Sequence, residues 1–196
     1  MPRAVREALI LDVAGQVFAR DGYHAASMDE IASGAEVSKP MVYAYFGSKE
    51  QLYLAYIDRT GGELLERLMA AASDDNAPMG ALRARVTEFF KFVDEHRDGW
   101  RVLFAEAASS RPVADQVAEL RGRIAALIRR MLEDPRASGL TLTQHAADGI
   151  AHAIVGAGES LANWWLEHPD VPRDQAAAWY IGVVQAAVVS AAAPAR

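Results

Sequence analysis

Between Val37 and Lys49 the chain carries Lys39, Tyr43, Tyr45 and Lys49, with no acidic residue among them. Two ammonium groups and two phenols in so short a span suit contact with an anionic polymer. Lysine donates to phosphate oxygens or guanine edges, and a tyrosine hydroxyl reaches phosphate oxygens. Lys49 follows Ser48 at a helix start, where free amides and the helix dipole already favour a phosphate. The positive character is local: residues 1–50 hold five basic against seven acidic side chains, and the 196-residue chain has a net charge of -6. An acidic total argues against indiscriminate nucleic-acid binding and leaves open a focused site.

The elements that present these groups are helices. Apolar residues recur at helical spacing almost throughout, without sustained period-2 alternation, so the fold class is all-α. Leu9, Val13, Ala14, Val17 and Phe18 give a stripe on a first helix, Arg3 to Arg20, which Asp21-Gly22 ends. Ser27 with Glu30 forms a capping box for a helix to Ala35, with Ala26 and Ile31 as a staple. Ser38 caps a short helix, Lys39 to Tyr45, in which Pro40 needs no amide donor, and Ser48 with Gln51 opens a longer one. The capped pair around the turn Glu36-Val37-Ser38 is a helix-turn-helix. Ile31, Ala35, Val37, Val42 and Phe46 fix its interhelical angle, leaving Lys39, Met41, Tyr43 and Tyr45 facing outward or tangentially.

The residues also exclude chemistry. Without cysteine there are no disulfides, thiolate nucleophiles or zinc knuckles. No glycine-rich phosphate loop, G-x-S-x-G or paired-carboxylate site occurs, so the chain is not expected to be an enzyme or to carry a cofactor. His145, Asp148 and His152 share a helix but lack the i, i+4 histidine pair of zinc helices, and no metal is expected. A helical interaction module is the rival to a DNA-binding protein. The opening residues lack the apolar core of a secretory signal, which points to the cytoplasm.

The run Tyr23-His24-Ala25-Ala26-Ser27-Met28-Asp29-Glu30-Ile31-Ala32, followed by Val37-Ser38-Lys39-Pro40-Met41-Val42-Tyr43-Ala44-Tyr45-Phe46-Gly47-Ser48-Lys49-Glu50-Gln51-Leu52, resembles the TetR family of bacterial transcriptional regulators. The resemblance implies an N-terminal three-helix helix-turn-helix domain followed by an α-helical ligand-binding and dimerisation domain. We place them at residues 1–50 and 51–196. It further implies a double-stranded operator, phosphate contacts from Ser27, Tyr43, Tyr45 and Lys49, and operator contacts from Ser38, Lys39, Pro40 and Met41. A repressor released from a palindromic operator by a small ligand is the expected mode of action. One departure stands out: Glu36 occupies a turn position where the family commonly has glycine. If that position needs positive φ, a side chain there costs about 1 kcal/mol.

Beyond a linker at Ala71 to Pro78, helices are predicted at Met79–His96, Trp100–Ser109, Val113–Glu133, Thr143–His168 and Pro172–Ala193, with Asp98-Gly99 separating the first two. Aromatic residues concentrate in this half. Phe89, Phe92, Trp100, Phe104 and Trp164, with Glu159 as a polar group, are the candidate ligand contacts. The expected ligand is hydrophobic or aromatic, with a fatty-acyl chain among the candidates. Gly149, Ala153, Gly156 and Ser160, with Gly182, Ala186 and Ser190, give small-residue stripes on the last two helices. A homodimer through residues 143–168 and 172–193 follows. The uncharged stretch from Gln175 to Ala195 is long enough to span a bilayer, but its alanine content favours a helix buried in protein, and no membrane partner is expected. Gly61-Gly62 marks either a hinge in the fourth helix or its end.

Overall fold

The computed structural model describes residues 2–71, 80–104, 110–134 and 141–192. Among these, regular structure is entirely helical: α1 Arg3–Ala25, α2 Met28–Gly34, α3 Lys39–Phe46, α4 Lys49–Ala70, α5 Gly80–Glu95, α6 Arg97–Phe104, α7 Arg111–Glu133, α8 Gln144–Leu166 and α9 Arg173–Ala192. The predicted linker apart from Ala71, the end of the Trp100–Ser109 helix and Ala193 lie outside the described residues.

Packing groups the chain into two compact units, Met1–Glu63 with His96–Glu119, and Leu64–Glu95 with Leu120–Arg196. The unit holding the helix-turn-helix runs past residue 50 because α4 contributes to its core. Tyr53 packs edge-on against Phe18, 4.8 Å between centroids, and its hydroxyl donates to the Val102 carbonyl at 2.8 Å. On α1 the buried face is Ile10, Leu11, Ala14, Gly15, Val17 and Phe18. The predicted stripe is thus rotated: Leu9 and Val13 sit at its half-buried margin, because α1 meets both α2 and α6. Gly22 breaks the helical geometry with φ 76° and ψ 168°, a conformation open to glycine, and Tyr23 to Ala25 form a final turn beyond it.

Two predicted punctuation marks act differently. Asp98-Gly99 does not stop a helix but lies in the first turn of α6, which begins with the Trp100 N–H donating to the His96 carbonyl at 2.7 Å. Gly99 is buried, and a Cβ on it would lie 3.0 Å from the Tyr56 hydroxyl and 3.2 Å from Thr60 Cγ2. A close helix crossing is what demands glycine there. Gly61-Gly62, in turn, does not end α4, which stays helical to Ala70. The intact backbone ladder outweighs about 1 kcal/mol of unfavourable propensity per glycine.

In the second unit α9 packs on α5 and α8. The α8 residues Ala147, Ala151, Ile154, Gly158, Ala162 and Trp165 recur at three- and four-residue spacing and are buried, the stripe of a helix with one inward face. Facing them, α9 buries Ala176, Ala177, Tyr180, Val184 and Val188. The Tyr180 ring fills the space that a side chain at position 158 would take, with its hydroxyl 2.7 Å from the Cβ such a residue would have. That hydroxyl donates to the Ile154 carbonyl, and burial pushes it well above the usual phenol range. Although α9 has the length and apolarity of a membrane span, its inward face is committed to α5 and α8.

Candidate nucleic-acid interface

Ser27 and Ser48 behave as predicted at the backbone. Ser27 Oγ accepts from the Glu30 N–H at 3.4 Å, and Ser48 Oγ from that of Gln51 at 3.0 Å. The capping box at Ser27 is only half made, since the Glu30 carboxylate turns to Arg20 at 2.7 Å, which also holds Asp21. Ser38 is the N-cap of α3 through its carbonyl, which accepts from Met41 and Val42 at 2.9 and 3.2 Å. Its hydroxyl makes no capping bond and remains on the exposed surface. Ile31, Ala35 and Val42 are buried at 1% exposure or less, locking α2 against α3, while Val37 and Phe46 are half-buried.

The side chains left outside are those that could read DNA. Lys39, Pro40 and Tyr43 are exposed, and Met41 and Tyr45 partly so. Lys39 Nζ pairs with Asp29 Oδ2 at 2.8 Å, and that hydrogen bond raises the ammonium pKa. An exposed ion pair of this kind is weak and yields readily to a phosphate or base edge. Lys49 Nζ donates to the His24 carbonyl at 2.9 Å and sits 5.1 Å from the centre of the Tyr23 ring. It therefore closes the end of α1, its partner being a backbone carbonyl and not a carboxylate. Sequence reasoning missed two neighbours, Asp29 and Arg3. The Arg3 guanidinium lies 5.2 Å from the centre of the Tyr45 ring, adding a cation to this surface. No local pattern signals that juxtaposition, since 42 positions separate the two residues and only packing of α1 brings them together.

The turn resolves the question posed by Glu36. Its φ is 53°, within the left-handed region. The Glu36 N–H donates to the Ser33 carbonyl and the Val37 N–H to that of Ala32, at 3.1 and 3.0 Å. This pair of bonds is the Schellman closure of a helix, with Glu36 at the position glycine favours. We expect Glu36→Gly to stabilise the fold by up to about 1 kcal/mol in urea unfolding, and Glu36→Ala, still strained, to gain far less. Equal gains from both would remove strain as the reason.

Model matches divide the chain in the same order: residues 10–56 match bacterial regulatory proteins of the tetR family, and residues 78–187 match the tetracyclin repressor-like C-terminal domain. The chain belongs to the TetR family. A relative, the HTH-type transcriptional activator FasR of Mycolicibacterium smegmatis, is 36% identical over 176 residues, covering 89% of this chain and 78% of that protein. A TetR-like transcriptional regulator from Rhodococcus sp. RHA1 superposes with a TM-score of 0.79 at 36% identity, over 96% of this chain and 98% of that one. A tetR-family transcriptional regulator from Streptomyces coelicolor gives a TM-score of 0.79 at 27% identity, over 98% and 84%. The protein is accordingly a helix-turn-helix transcriptional regulator and not an enzyme.

The predicted ligand residues of this TetR-family chain are dispersed. Trp100 and Phe104 belong to the first unit, with ring centroids 4.2 Å apart and Trp100 fully buried. Phe89 and Phe92 lie on α5 in the second unit. Phe89 packs near Tyr180 at 6.2 Å, and Phe92 is covered by the Arg67 guanidinium, 5.5 Å from its centre. Trp164 turns outward at 38% exposure and stacks on His168 at 4.1 Å. Glu159 accepts two hydrogen bonds from Arg121, at 2.8 and 2.5 Å, which clamps α8 to α7. Its carboxylate is thereby partnered within the protein. Asp148 stands 3.9 Å from both Arg129 and His152.

Proposed function

We propose that the chain is a cytoplasmic homodimeric repressor that releases a palindromic double-stranded operator when a small hydrophobic ligand binds its second unit. The observation that carries the DNA-reading part is the exposed face of α3. Lys39, Pro40 and Tyr43 stand free of the core while Val42 anchors the same helix at 0% exposure. Ser27, Tyr43, Tyr45 and Lys49 hold phosphates, and Ser38, Lys39, Pro40 and Met41 meet base edges. The proposed ligand contacts centre on Phe89 and Phe92, on the helix that packs against α9. α4 spans residues of both units, so ligand occupancy reaches the reading helix through it, with a coupling of about 1–3 kcal/mol.

Dimerisation is supported by the outer faces of α8 and α9. Gly149, Ala153, Gly156 and Ser160 are exposed, as are Gly182, Ala186 and Ser190. Beside them Trp164, Trp179, Val183 and Val189 leave 38–64% of their surface uncovered. Apolar surface on this scale, on a helix apolar all round, marks a protein interface.

The deciding experiment is a gel shift against the DNA upstream of the gene, followed by transcription in vitro from the bound promoter. A shifted band and a loss of transcript are expected. No specific band favours the helical interaction module, and a gain of transcript makes the protein an activator. Within the bound complex, Lys49→Ala should weaken all DNA about equally and lower the salt slope by roughly one. It should also cost some stability through the lost His24 contact. Lys39→Ala should instead relax sequence preference. Wild-type binding by both variants would overturn the assignment of α3 as the reading helix.

A further inference from the structure

In the second unit most half-buried arginines have an acidic partner among the described residues. Arg67 reaches Glu88 and Glu95, Arg121 reaches Glu159, and Arg129 reaches Glu133. Arg85 on α5 differs. Its Nη1 donates to the Ala81 carbonyl of its own helix at 3.0 Å, while its Nε is buried without an acceptor. It pairs with no carboxylate among the described residues. The acid three positions on, Glu88, is committed to Arg67 at 3.4 Å and to Lys91 at 4.0 Å.

A guanidinium cannot shed its proton to relieve desolvation, so the half-buried Arg85 keeps its charge with no carboxylate partner among the described residues. Desolvation disfavours that charge, and an unpaired charge taken out of water is costly until a counter-ion arrives. The planar fork of arginine matches carboxylate and phosphate oxygens in a two-point contact. Along α5, Phe89 and Phe92 follow Arg85 at i+4 and i+7 and so share its flank. Phe92 is fully buried and Phe89 half-buried.

We infer that Arg85 is the anchor for the anionic head of an amphipathic ligand whose apolar tail lies along Phe89 and Phe92. This rests on the reading of the second unit as a hydrophobic-ligand domain, and it adds that the ligand is an acid. The head is a carboxylate or a phosphate, the shared chemistry being an oxyanion on an acyl chain.

The test titrates the full chain with dodecanoate, dodecanoyl-coenzyme A and methyl dodecanoate by calorimetry, below their micelle concentrations. At least one of the two anionic probes is expected to bind roughly tenfold or more tightly than the neutral ester. The tighter of the two identifies the head as the chain's own carboxylate or the phosphates of a thioester carrier. Arg85→Met should erase the difference while leaving ester affinity and operator binding unchanged, and Arg85→Lys should restore part of it. Affinities of both anionic probes that do not exceed that of the ester in the wild type, or discrimination that survives Arg85→Met, overturn the assignment and leave the hydrophobic-ligand reading standing. Failure of all three probes to bind overturns both.

Discussion

Gly15→Ala is expected to destabilise the protein by about 2 kcal/mol net and to lower its melting temperature by roughly 4–8 °C. A methyl group at this position would lie 2.3 Å from Tyr56 Cε2 and 2.6 Å from its Cζ, distances no packed carbon tolerates. The ring has little room to retreat. Tyr56 is 7% exposed and its neighbour Thr60 only 4%, and burial raises the Tyr56 hydroxyl above its ordinary pKa. Overpacking of this sort costs about 1–3 kcal/mol, at the upper end here, and the better helix propensity of alanine returns up to about 1. Gly62→Ala is the control on the same scale. It sits in the interior of α4, and beyond its own helix turn no atom of the described residues lies within 4 Å of the added carbon, so the propensity gain should appear alone as about 0.5–1 kcal/mol of stabilisation. Denaturant unfolding of both, with Tyr56→Leu added to Gly15→Ala, checks the mechanism. If the two changes in the double variant simply add, the clash with Tyr56 is not the cause.

Ala186→Arg should produce a monomer and weaken operator binding by about two to four orders of magnitude. Position 186 is exposed on α9, between Val183 and Val189, which are 55% and 64% exposed. A protomer therefore accommodates the arginine with little change in its own fold. In the proposed dimer the same patch would meet itself across a two-fold axis, so each substitution would be felt twice and the charge buried against its copy. Two half-sites stand roughly 34–36 Å apart on DNA, and a single reading helix holds only one. Losing the second contact removes the gain from tethering, which is the origin of the large factor. Sedimentation at micromolar concentration together with a gel shift reads both effects. A variant that stays dimeric with wild-type operator affinity would take α9 out of the interface.

What the sequence by itself determined was local. Serine caps at 27 and 48, Pro40 early in α3 and the helical periodicity set the helix-turn-helix and the all-α class. Each of these acts within a few residues, through backbone groups that need a partner wherever the chain goes. The resemblance to the family marked position 36, where glycine is common, and the positive φ found there belongs to one residue's own dihedral. Tertiary structure decided which uses the same side chains were put to. Asp98-Gly99, whose composition signals a stop, became the first turn of α6 because Gly99 lets that helix approach Tyr56 and Thr60. Glu159, isolated on an apolar helix in sequence, was claimed by Arg121 from 38 positions away, and Trp164 faced outward while Trp165 faced in at 3% exposure. Arg85 gave no signal in the sequence, since being without an acidic partner is a property of everything packed around a group and not of the group itself. Periodicity reports that a face is buried, but the neighbour on that face comes from another helix, and the free energy of the pair belongs to both.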